Sequence, residues 1–95
     1  MATRMLPEIV IYSDVNYSGN SFRTNVNSPS LNDWNDKISS IVVVSGTWQF
    51  FRHANFQKGA GDSDWILGPG YYKFTPEAGI PNDEISSFKV YQDSP

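Results

Sequence analysis

The phrase NDKISS at residues 35–40 returns as NDEISS at residues 82–87. Each copy stands behind a pair of aromatics at the same spacing: Tyr12 and Tyr17 before the first, Phe51 and Phe56 before the second. A chain of 95 residues has room for one core, so both units must share it. Half a domain written twice within one small core means two similar supersecondary units packed face to face. That constraint removes most folds from consideration. The interval from Tyr12 to Asn35 is 23 residues and that from Phe51 to Asn82 is 31, so the second unit carries an insertion, placed at KGAGDSD, residues 58–64. SGT at 45–47 is the natural junction between the units.

Local chemistry says what the units are made of. The apolar runs are short and rich in β-branched and aromatic residues, and glycine and proline recur throughout. Residues 8–14, 21–26, 40–46, 47–53, 64–68, 71–75 and 86–92 read as strands. NYSGN, NSPS, QKGAG, GPG and EAGIPND supply the turns between them. Only SLNDW and TPEAG suit a short helical turn. Seven or eight strands in this length mean an antiparallel sandwich or a small barrel.

Composition narrows function. With no cysteine and His53 as the single histidine, no zinc or iron–sulfur site can be assembled, and any metal must be held by oxygen. The net charge of −3, with no basic run, argues against nucleic acid and anionic membrane as partners. IVVV at 41–44 is far too short to span a bilayer. No secretory leader is legible in MATRMLPEIVIYSD, which leaves the compartment open between the cytoplasm and export of a trimmed chain. No G-x-S-x-G elbow or phosphate-cradling glycine loop occurs, and Asp62 and Asp64 lie in a loop without a pocket, so no enzyme is expected.

Aromatic–x4–aromatic–x–Gly hairpins, each followed by Asn/Asp–Asn/Asp–x–x–Ser/Thr–Ser, resemble the signature of the βγ-crystallin domain in its microbial calcium-binding form. The resemblance covers residues 9 to 91. It implies an all-β fold of two Greek-key motifs, about 8–45 and 47–92, forming an eight-stranded antiparallel β-sandwich. It also implies two calcium ions at the top of the domain, each drawing on both units. Ser39 and Ser86 would contribute hydroxyls, and Asn35, Asp36, Asn82 and Asp83 side-chain and backbone oxygens. Ser13 and Arg52, following the first aromatic of each hairpin, would contribute carbonyls. The second hairpin departs from the pattern: Lys58 stands where the glycine belongs, so its bend falls to Gly59 or Gly61.

The residues suit that chemistry. Calcium takes six to eight hard oxygens at about 2.3–2.6 Å, from carboxylates, amides, carbonyls, hydroxyls and water. The calcium-loop pattern of an EF-hand is absent, so a shallower site of lower charge is expected, with Kd of roughly 10⁻⁶ to 10⁻³ M. Ile38 and Ile85 should point inward and pin each clamp to the core. The four hairpin aromatics read as structural, Gly19 as a positive-φ position, and Tyr71 or Tyr72 as a corner tie through the hydroxyl. Trp34, Trp48 and Trp65 read as core or rim packing, and Trp34 should report calcium by fluorescence. Plainer readings stand beside these, since Asn-Asp before a strand is ordinarily a turn and Ser-Ser ordinarily surface. The functional alternatives are a non-enzymatic binding or inhibitor module, usually disulfide-rich in such folds, and a structural protein with no calcium role. The chain is expected to be a monomer.

Overall fold

The computed structural model describes residues 6–31, 34 and 37–91. Seven strands run β1 (Glu8–Asp14), β2 (Ser18–Thr24), β3 (Ser40–Ser45), β4 (Trp48–Phe51), β5 (Trp65–Leu67), β6 (Gly70–Tyr72) and β7 (Ser87–Val90). All pairing is antiparallel. One sheet has the order β2-β1-β3-β6 and the other β5-β4-β7. The chain passes from the first sheet to the second at Gly46, whose φ of 78° no β-branched residue adopts cheaply. β6 belongs to the second half of the chain but completes the sheet of the first, through Ile41 opposite Tyr72 and Val42 opposite Tyr71.

The reciprocal exchange is reduced to one residue. Ser28 forms an isolated bridge with Phe88 of β7, with the Ser28 amide donating to the Phe88 carbonyl at 2.9 Å and the reverse bond at 3.0 Å. Among the described residues the expected eight strands are therefore seven plus this bridge. Beyond the bridge the chain turns to the second hairpin, where the Pro29 carbonyl accepts from the Asn55 amide at 2.8 Å. Asn27 compensates on the other side, its Oδ1 accepting from the Val90 amide at 2.8 Å. The strand expected over 71–75 stops at Tyr72 because Pro76 opens a 3-10 turn, Thr75–Ala78, that ends on left-handed Gly79.

Alternation along β1 and β3 sends Ile9, Ile11, Ile41 and Val43 between the sheets, where they meet Trp48, Phe50, Trp65 and Leu67 of the opposite sheet. Phe88 is wholly buried and packs its ring against Trp48 and Phe50 at centroid distances of 5.7 and 5.9 Å. Trp48 and Trp65 are core, and Trp34 packs on its edge. Tyr72 makes the corner tie, its hydroxyl donating to the Gly68 carbonyl at 2.7 Å, while Tyr71 is exposed. Among the described residues no helix is long and apolar enough to cross a membrane.

Candidate functional site

The two aromatic hairpins share one conformation. Asn16 and Tyr17 are both left-handed, at φ 55° and 58°, and Asn55 and Phe56 match them at 60° and 61°. Two consecutive left-handed residues without glycine cost roughly 1–2 kcal/mol each, so the surroundings must hold them there. Tyr12 and Tyr17 pack edge to face at 5.8 Å, as do Phe51 and Phe56 at the same distance. The second serine of each clamp closes the bend. Ser40 Oγ accepts from the Tyr17 amide at 3.0 Å and donates to the Asp14 carbonyl at 2.6 Å. Ser87 Oγ accepts from the Phe56 amide at 3.1 Å and donates to the His53 carbonyl at 2.6 Å. Both serines are fully buried. The second bend thus does without a glycine after its second aromatic: Gly19 is left-handed at φ 80°, whereas Lys58 is not left-handed at all. His53 itself faces solvent.

The first serines sit one residue earlier and are placed by their amides. The Ser39 amide donates to the Tyr12 carbonyl at 2.9 Å, and the Ser86 amide to the Phe51 carbonyl at 2.8 Å. Ser39 is thereby set beside Ser13, and Ser86 beside Arg52, in both halves alike. Ile38 and Ile85 are wholly buried and anchor the clamps as their spacing implies. Ser39 then reaches across the domain, its Oγ donating to Asp83 Oδ1 at 3.1 Å, over a sequence separation of 44. Asp83 is left-handed at φ 59°, and its amide lies 3.3 Å from the Ile38 carbonyl. The Ser39 carbonyl also accepts from the Thr75 amide at 2.9 Å. Asn82 and Asp83 are exposed at this junction. Asn35 and Asp36 of the first clamp lie outside the described residues. Among those described, no three His, Cys, Asp or Glu side chains group as a metal site, so the convergent oxygens are a hydroxyl and a single carboxylate.

The beta/gamma crystallin family model matches residues 8–91, from the first strand to the last. The chain belongs to the βγ-crystallin family. It is 36% identical over 84 residues to a beta/gamma-crystallin of Ciona intestinalis, covering 86% of this chain and 95% of that one. The crystal structure of a βγ-crystallin from an archaeon superposes with a TM-score of 0.84 at 41% identity, covering 92% of this chain and all of the other. A clostrillin double mutant in complex with nickel shares the fold, with a TM-score of 0.69 at 24% identity, over 90% of this chain and 98% of that one.

This βγ-crystallin domain carries a second polar network, which sequence reasoning missed. The residues of the insertion, left without a role above, are tied down by charge. Asp62 takes the Arg52 guanidinium in a two-pronged pair, Nε to Oδ2 and Nη2 to Oδ1, both at 2.9 Å. Arg52 Nη1 donates to Glu84 Oε1 at 2.7 Å, and the guanidinium lies 5.3 Å over the Trp65 ring. Lys58 pairs with Asp64 at 2.7 Å on the exposed side of the loop. The Arg52 hydrogen bonds hold the Asp62 carboxyl below the ordinary carboxylate range, against an opposing effect of burial, and the same pairing raises Arg52. At the other hairpin burial pushes the Tyr17 phenol up, with Tyr71 and Glu77 adding to it. The only sequence signal for the network was the pair of unmatched acids in an insertion.

Proposed function

We infer that this βγ-crystallin domain binds two calcium ions through its Asn-Asp-x-x-Ser-Ser clamps, and that calcium stabilises the fold. The ligands are Ser39 and Ser86 by hydroxyl, Asn35, Asp36, Asn82 and Asp83 by side-chain or backbone oxygen, and Ser13 and Arg52 by carbonyl. The observation that carries this reading is the bond between Ser39 Oγ and Asp83 Oδ1, which brings hard oxygens of both repeats to one point. A hydroxyl and a carboxylate beside exposed amide and carbonyl groups fit a hard cation, not a thiophilic one. The burial of Ile38 and Ile85 supports it too, because each clamp is fixed to the core before any ion arrives. The two Greek keys are assigned to residues 8–45 and 47–92, the whole acting as a monomer. The role is binding, not catalysis.

Bound calcium ties the loops of the two halves together and relieves the carboxylates of their mutual repulsion. The test is calorimetric titration of calcium into chelator-stripped protein, with Asp36→Ala and Asp83→Ala alongside and Trp34 emission as a second readout. Saturation near two ions, with binding weakened in each variant, is the expected result. A parent protein that gives neither heat nor a fluorescence change would leave the repeated phrase a folding device only, and would favour the structural alternative.

A further inference from the structure

The two hairpins beside the site are alike in backbone but not in what stands behind them. In the second half, the residue assigned to give a carbonyl is Arg52, and its side chain turns back to grip Glu84, the residue between Asp83 and Ile85 in the clamp. The same guanidinium is gripped by Asp62 from the insertion, and Asp62 is in turn fixed by the Gly59 amide at 2.8 Å. The fit around Gly59 is close: a Cβ there would lie 2.7 Å from both Arg52 Cδ and Asp62 Oδ2. Trp65 forms the floor beneath the guanidinium. In the first half the position of Arg52 is taken by Ser13, whose Oγ merely accepts from the Asn20 amide at 3.0 Å. Lys37 stands where Glu84 does, exposed and of opposite charge.

We propose that Arg52, Asp62 and Glu84 form a brace that pre-sets one of the two calcium sites, making the sites unequal, with Asp62 a positioning residue although it lies in neither clamp. This rests on the calcium reading above. A two-pronged guanidinium–carboxylate pair on an aromatic floor fixes the Arg52 backbone and the Glu84 side chain together. The Arg52 carbonyl and Ser86, whose amide bonds the adjoining Phe51 carbonyl, are thus held in place before the ion binds, and less ordering is left to oppose binding there. The Glu84 carboxylate, occupied by Arg52, is not itself a ligand. Among the described residues the first half's ion pair, Glu8 with Arg23, lies at the other end of β1 from Ser13, so no ionic brace backs its carbonyl.

Calcium titration of the chelator-stripped full chain tests this with Arg52→Lys, Asp62→Asn, Asp62→Glu and Asp64→Asn. Arg52→Lys keeps the charge and the carbonyl but loses the fork, and Asp64→Asn removes an equal charge from the neighbouring exposed pair. The parent should show two binding steps of different affinity. Arg52→Lys and Asp62→Asn should each weaken one step about tenfold and leave the other within threefold. Asp62→Glu should recover most of the loss, and Asp64→Asn should match the parent. A variant that only loosened the fold would lower the thermal midpoint in chelator and weaken both steps together, which overturns the proposal. So does Arg52→Lys or Asp62→Asn binding as Asp64→Asn does, or Asp62→Glu remaining as weak as Asp62→Asn. A parent with no calcium binding removes the calcium reading itself and the brace with it, whereas the other failures remove the brace alone.

Discussion

Ser40 and Ser87 hold strained backbone in place with one oxygen each. Each hydroxyl is shared between the amide of the second hairpin aromatic and a carbonyl three residues before that aromatic, and each is fully buried. Replacing either by alanine leaves a donor and an acceptor unmet within the hairpin while its two left-handed residues still need support. The expected loss is about 1–3 kcal/mol for Ser40→Ala, and the same for Ser87→Ala. Urea denaturation in chelator checks this, and chelator matters because bound calcium would mask part of the loss. Equal losses in the two variants would show that the repeated hairpins are equivalent in energy as well as shape. Ser39, one residue before Ser40, turns its hydroxyl to Asp83 instead, so the two serines of the first pair divide bracing from the inferred ligation.

Among the described strands, the one reduced to a bridge is the most informative. Its place is filled by the Ser28 bridge and by the Asn27 side chain, which stands in for a strand carbonyl opposite the Val90 amide. Asn27→Ala should release that amide at a cost of about 1 kcal/mol. Native-state hydrogen exchange should show faster exchange at Val90, with the Phe88 amide, still bonded to Ser28, much less affected. What could be read from sequence follows the same division between local and distant. The hairpin aromatics, the inward Ile38 and Ile85, and the Tyr72 corner were legible because each depends on neighbours within a few residues. The bridge from Ser28 to Phe88, the reach of Ser39 to Asp83 and the grip of Arg52 on Asp62 and Glu84 were not. Those contacts are made by the return of the chain, and no periodicity marks which polar residue will find which. The strand limits at 72 and 75 erred for a subtler reason, since a run of aromatic residues outweighed Pro76, which decides the matter locally.

At the scale of the molecule, two sheets share one core with no disulfide, so net stability is a small difference between large terms. An ion that binds only the folded state adds RT ln(1 + [Ca]/Kd), or about 2.7 kcal/mol per site at a hundredfold excess. Calcium should therefore raise the thermal midpoint steeply, by several degrees per site for a domain of this size, and chelator should reverse it. Calorimetric scans across a calcium series measure this, and a midpoint indifferent to calcium would contradict the inferred role. The strand exchange has a further consequence, for the order in which the protein is made. Until residue 72 has left the ribosome the first sheet lacks β6, and Ser28 lacks its bridge partner until Phe88 follows. At about 5–20 residues per second, the early half waits seconds with an open edge. Neither half can be finished first, so both sheets are complete only once residue 88 is out.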